Sequence, residues 1–168
     1  MKKIPRLFIA LMILSLGFIT GCTQQNGTSN NYEENTLESN EFINWTTNTF
    51  SGMATQFQPI QNSWGSNWDD CRIYIGQAKR NIDLYINQSR NFSLGSILDS
   101  ARFWYVEYLN AYKQFYDLWD LAVQDYIAGR IEDGDAHVQE GVDVEEKART
   151  YLANSARDIS YWQTAYKG

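Results

Sequence analysis

Apolar side chains recur every three to four residues along most of the chain from Glu41 onward. This is the spacing of an α-helix that buries one face. Four such stretches predict helices at 38–62, 67–90, 94–131 and 135–166. No stretch shows the strict alternation that is typical of a β-strand. The pattern therefore predicts an all-α fold, an antiparallel four-helix bundle with short connections.

The apolar positions of each predicted helix share one face. For the first helix they are Phe42, Thr46, Thr49, Phe50, Met53, Phe57 and Ile60. For the third helix they are Leu94, Ile97, Ala101, Trp104, Tyr108, Tyr112, Phe115, Trp119, Ala122 and Tyr126. Because proline lacks an amide hydrogen and clashes with the preceding turn, we expect Pro59 to kink or end the first helix.

The last two predicted helices are longer than the first two. At 1.5 Å per residue they span roughly 48–57 Å, against roughly 36–38 Å for the first pair. We expect the excess to form a long hairpin of the third and fourth helices that projects beyond the bundle, with the acidic turn 132–135 at its tip. Residues 124–140 are then the expected contact for a protein partner in the cell envelope.

The N-terminus has a different pattern, with basic residues followed by an apolar run and a small-residue site. Lys2, Lys3 and Arg6 precede the apolar stretch 7–19, and the segment Ile19-Thr20-Gly21-Cys22 ends it. This is the layout of an export signal. The apolar stretch is shorter than the roughly 20 residues that a membrane-spanning helix needs. We therefore predict a cleaved signal peptide.

The segment Ile19-Thr20-Gly21-Cys22 resembles the lipobox of prokaryotic lipoproteins. The resemblance implies cleavage between Gly21 and Cys22, transfer of a diacylglyceryl group to the Cys22 thiol, and anchoring at the outer face of a prokaryotic membrane. Two acyl chains anchor a protein stably where one binds only marginally. No family is recognisable in the rest of the chain.

These patterns divide the chain into three parts. Residues 1–21 form the predicted signal peptide, residues 22–40 comprise the lipidated cysteine and a linker, and residues 41–168 form the helical bundle domain. The segment 23–40 is polar and rich in asparagine. Such a segment buries too little apolar surface to offset the entropy lost on ordering, so we expect a flexible linker.

The charge of the chain limits its partners. The whole chain has a net charge of −6, and losing the three basic residues of the signal peptide changes this to −9. Nucleic acids and anionic lipids attract clustered positive charge. We therefore expect no nucleic-acid partner, and we expect membrane attachment through the lipid on Cys22.

Aromatic side chains are concentrated on the predicted third helix. They have two interpretations: most bundles need such a stripe for their core, whereas Trp104, Tyr108, Tyr112 and Trp119 could instead line an interhelical cleft for a small ligand. Exposed rings around unfilled volume would favour the cleft.

Other candidate chemistry is sparse. His137 lies among acidic residues, but the run matches neither a calcium loop nor the usual zinc ligands, so we expect no metal site and no cofactor. No catalytic triad, nucleophile elbow or Cys-x-x-Cys motif is present, and we expect no enzymatic activity. Cys71 lies on an apolar face, where we expect it to be buried.

We therefore expect an exported lipoprotein that acts as a structural or protein-interaction module of the cell envelope. The alternative is a small-ligand binding protein that uses the aromatic cleft. A filled core would favour the first hypothesis, and an open pocket would favour the second.

Overall fold

The computed structural model describes residues 30–167, with side chains described from 36 to 166. Four helices make up this part of the chain: α1 Asn30–Ser63, α2 Trp68–Ser89, α3 Ser96–Ile127 and α4 Ile131–Lys167. No strand occurs between residues 30 and 167, so the prediction of an all-α fold is confirmed. None of the described helices is both long and apolar enough to cross a membrane.

Helix α1 begins earlier than the sequence pattern predicts. It starts at Asn30, so residues 30–40, expected to belong to a flexible linker, are helical. Ser39 is buried, and the Glu38 carboxylate accepts a hydrogen bond from the Ser93 amide at 2.5 Å. Acidic residues are favoured near a helix N-terminus. A polar helical segment lacks the apolar stripe on which periodicity analysis depends, which is why the sequence pattern missed it.

Of the two outcomes expected at Pro59, a kink or an end of the helix, the end does not occur, and α1 continues to Ser63. The missing proline amide would have bonded to the carbonyl of Thr55, an exposed residue at which water can take its place. One turn later the Ser63 hydroxyl donates to the Pro59 carbonyl at 2.8 Å. Asn67 then caps α2, since its side-chain oxygen accepts from the Asp70 amide at 3.1 Å.

The turn between α3 and α4 lies before the predicted position of 132–135. Gly129 has a φ of 76°, and its amide donates to the Tyr126 carbonyl while the Arg130 amide donates to the Asp125 carbonyl. These two bonds form a Schellman motif, which requires a left-handed residue that glycine adopts without strain. Residues 132–135 therefore lie in the first turn of α4 rather than in the turn itself.

The core is aromatic and contains side chains from all four helices. The predicted face of α1, from Phe42 to Ile60, is buried at every predicted position. Phe57 of α1 lies 6.2 Å from Phe115 and 5.4 Å from Trp119 of α3, measured between ring centroids. A second cluster joins the N-terminal part of α1 to the ends of α3 and α4: Phe42, Ile43, Leu98, Ala101, Ile159 and Trp162.

The α3–α4 hairpin projects less than expected. Trp64 and Trp68, at the connection between α1 and α2, lie with ring centroids 6.0 and 5.2 Å from Tyr126. They cover the hairpin up to its last turn, and the longest continuous run of exposed residues there is 127–133. The expectation of a long projection assumed a short α1, but α1 has 34 residues and α3 has 32.

Candidate functional site

Four tyrosines of α3 form a continuous row inside the bundle. Tyr105, Tyr108, Tyr112 and Tyr116 are spaced three or four residues apart, which places them on one face of the helix. None is more than 4% exposed. Successive ring centroids lie 5.4, 5.0 and 6.3 Å apart. This row brings four buried hydroxyl groups together and is the first candidate for a site.

The hydroxyl groups of this row differ in their partners. The Tyr105 hydroxyl donates to the Thr46 carbonyl at 3.0 Å and shares a second hydrogen bond with the Thr49 hydroxyl at 2.7 Å. The Tyr116 hydroxyl has no hydrogen-bond partner among the described residues. Burial raises the pKa of both phenols well above the ordinary value, because a buried tyrosinate loses its hydration. Both groups are therefore neutral at physiological pH.

Helix α4 brings one carboxylate to this row. Glu145 is 4% exposed, and one of its oxygens accepts from Arg149 at 2.8 and 3.2 Å. Its other oxygen is buried without a partner among the described residues. Burial, and then the negative charge of Glu145, raises the pKa of Tyr112. The arrangement is an internal polar cluster of α3 and α4, and the sequence pattern did not single out Glu145 within an acidic helix.

A reactive group also needs access to a substrate. One surface depression, with a volume of about 470 Å³, lies between α2 and α3. Its lining residues are Asp69, Arg72, Ile73, Ile75, Gly76, Lys79 and Asp120. None of the buried tyrosines lines it. Two of its charged side chains are neutralised across the helix pair, Arg72 by Asp120 and Lys79 by Asp117.

The four aromatic residues considered as a cleft do not lie together around open volume. Tyr108, Tyr112 and Trp119 are at most 4% exposed, and the Trp119 ring centroid lies 4.4 Å from that of Trp64. Only Trp104 reaches the surface in part, where its ring stacks on Tyr151 at 6.0 Å. This packing favours the core interpretation over the alternative of a ligand cleft, since three of the four rings fill the core.

His137 belongs to an ionic cluster at the α3–α4 end. Its Nε2 lies 3.4 Å from the carboxylate of Asp125, a residue only 7% exposed. Arg130 binds the other oxygen of Asp125, with its Nε at 2.9 Å. Among residues 30–167 no three His, Cys, Asp or Glu side chains are placed to hold a metal ion. The cluster joins the two helix ends.

Of the two cysteines, Cys71 lies among the residues that the structure describes. Cys71 is fully buried, as expected, and its Sγ lies 3.9 Å from the Ile60 carbonyl oxygen. Burial raises the pKa of this thiol to about 11, which suppresses the reactive thiolate. The predicted cleavage and lipidation residues, Gly21 and Cys22, lie outside the described residues.

Comparison with known proteins identified no relative. No protein-family model matches this chain, no curated protein resembles it in sequence, and no solved structure resembles it.

Proposed function

We propose that this chain is the precursor of a lipoprotein whose helical domain is held at the outer face of a prokaryotic membrane by a lipid on Cys22. The lipobox-like segment 19–22 supports the proposal, as do the basic residues and the 13-residue apolar stretch that precede it. Helix α1 begins at Asn30, so a lipidated Cys22 would lie close to the start of the folded part.

We propose that the domain is an antiparallel four-helix bundle. Two ion pairs between α2 and α3 support this arrangement, because Arg72 early on α2 meets Asp120 late on α3, whereas Asp83 late on α2 meets Lys113 at 2.5 Å. Hydrogen bonds between α3 and α4 have the same order, with Ser100 donating to Asp158 at 2.7 Å.

We propose that the domain acts by contacting other components of the cell envelope. One observation carries this choice: the aromatic residues that could have lined a ligand cleft are packed in a filled core. The contact we propose is the tip of the α3–α4 hairpin, where Ile127 and Ile131 are about half exposed. A contiguous patch of exposed apolar side chains is a feature of interaction surfaces, and these two residues flank the same turn.

The anchor is tested by replacing Cys22 with serine. We expect Cys22→Ser to lose incorporation of labelled fatty acid and to lose membrane retention, because a serine hydroxyl does not accept the diacylglyceryl group. The matched control is Cys71→Ser, which changes the other cysteine and should keep both properties. Cell fractionation with a carbonate wash measures retention. Recovery of Cys22→Ser in the washed membranes would contradict the proposal.

The tip is tested separately by photo-cross-linking in intact cells. A photoreactive residue at Ile131 should give one discrete adduct, whereas the same residue at exposed Gln114, in the middle of α3, should not. Equal labelling from both positions would contradict a contact at the tip.

A further inference from the structure

One end of the bundle combines exposed aromatic and aliphatic side chains with the start of the described chain. Phe42 and Ile43 of α1 pack with Ile159 and Trp162 of α4 in the second core cluster. Residues before 42 on α1 and after 162 on α4 therefore lie at the same end of the molecule. We call the exposed side chains of Leu37, Tyr161 and Tyr166 at this end the terminal patch.

The terminal patch is strongly exposed. Leu37 is 66% exposed, Tyr161 64% and Tyr166 53%. Tyr161 and Tyr166 are the two tyrosines, among the described side chains, that are more than half exposed. Tyr166 also stacks on Trp162, with ring centroids 5.8 Å apart. Exposure of this kind leaves the patch available to a partner.

The chemistry of the patch fits the boundary between lipid and water. Tyrosine and tryptophan have an apolar ring and a polar edge, and they are enriched where a membrane meets water. The negative net charge of the chain opposes attraction to anionic headgroups. A contact made by these rings would therefore depend on apolar burial and not on anionic lipid.

The covalent distance to Cys22 decides which end can meet the membrane. Seven residues separate Cys22 from Asn30, the first residue of α1. At most about 3.6 Å per residue, this connection spans no more than roughly 29 Å. The opposite end lies about 48 Å away along the 32 residues of α3, at 1.5 Å per residue. A lipid on Cys22 therefore places the terminal patch within reach of the membrane, whereas the connection is too short for the bundle to stand on the α3–α4 turn.

We infer that the terminal patch docks onto the lipid–water interface of the membrane in which Cys22 is anchored, so that the bundle stands on this end. The inference rests on the proposed lipidation of Cys22. It adds that the domain is held in one orientation by its own side chains, whereas a tether alone would leave it free to rotate.

The test uses the lipidated full-length mature protein in phosphatidylcholine vesicles that contain headgroup-nitroxide lipid. A fluorophore is attached to Thr164→Cys, an exposed position beside the patch, or to Glu132→Cys, an exposed position at the opposite end. Buried Cys71 does not compete for the label, because its thiol is fully buried. We expect the nitroxide to quench the label at 164 and to leave the label at 132 unchanged.

Substitution of the patch separates docking from tethering. Replacing Leu37, Tyr161 and Tyr166 together by glutamine should abolish quenching at 164. The matched control replaces Ile73 and Leu84, two exposed residues of α2, by glutamine and should keep the quenching. All five positions are exposed, so the helical circular-dichroism spectrum should not change.

Each outcome decides the inference. Quenching at 164 that survives the triple substitution would show that the tether alone brings this end to the membrane, and would overturn docking. If the triple substitution changes the sedimentation of the protein but not the quenching, the patch contacts a second copy of the chain instead of the membrane. Mass spectrometry of the N-terminus reports the lipid: a lipidated protein that fails the test overturns only this inference, whereas an unlipidated Cys22 overturns the proposed function as well.

Discussion

Among the described glycines, Gly134 of α4 leaves the least room for an added methyl group, because the Tyr126 ring of α3 lies against it. A Cβ at this residue would lie 2.6 and 2.8 Å from two ring carbons of Tyr126. The ring has little freedom to move, because it packs against Trp64 and Trp68 and its hydroxyl donates to Asp135 at 2.9 Å.

Gly134→Ala should therefore destabilise the protein although alanine favours a helix. The substitution gains at most about 1 kcal/mol of helix propensity. Overpacking of a fixed neighbour costs about 1–3 kcal/mol. We expect a net loss of about 1 kcal/mol, measured as a lower midpoint of urea unfolding with an unchanged slope.

Two further variants test the reasoning. At Gly76 the nearest atom to an added Cβ is the flexible end of Arg80 at 3.5 Å, so Gly76→Ala should stabilise by about 0.5–1 kcal/mol. In a Tyr126→Leu background the ring is gone, and Gly134→Ala should become neutral or favourable. The packing argument is refuted if Gly134→Ala stabilises the protein as much as Gly76→Ala does.

Three other predictions concern buried polar groups. Tyr105→Phe should cost about 1 kcal/mol because it removes two hydrogen bonds. Tyr116→Phe should be neutral or stabilising, because it removes a buried hydroxyl without a partner among the described residues. Urea unfolding of the two variants tests this, and equal losses of stability would contradict it. Since burial raises the folded-state pKa of both phenols, their contribution to stability should be complete below pH about 10 and should decline above it. The part of the tyrosinate absorbance that Tyr105→Phe and Tyr116→Phe remove should rise together with the loss of helical signal, and a rise of that part before unfolding would refute this. Cys71, with a pKa raised to about 11, should resist thiol reagents at neutral pH until the domain unfolds, and rapid labelling of the native protein would show that the thiol is accessible.

The apolar periodicity determined which faces of the helices are buried. The face predicted for α1 is buried at every predicted position, because an amphipathic helix in water has only one way to remove its apolar side chains from solvent. Trp104 belongs to the predicted face of the third helix but is only partly buried, because periodicity contains no information about how far a neighbouring helix covers that face.

The candidate sites were less accessible to sequence reasoning. A regular stripe of aromatic residues is the same pattern whether the rings fill a core or line a cleft, and only the tertiary packing around Trp119 and Tyr112 decides between them. Likewise, nothing in the sequence distinguishes Asp125 or Glu145 from the many other acidic residues.

The sequence by itself determined the helical class, the buried faces and the lipobox-like segment at Cys22, because these depend on residue types at short separations. The tertiary structure decided the start of α1, the filling of the core, the pairing of His137 with Asp125 and the close approach of Gly134 to Tyr126. These features depend on which side chains from distant parts of the chain meet, and that is set by the joint packing of all four helices.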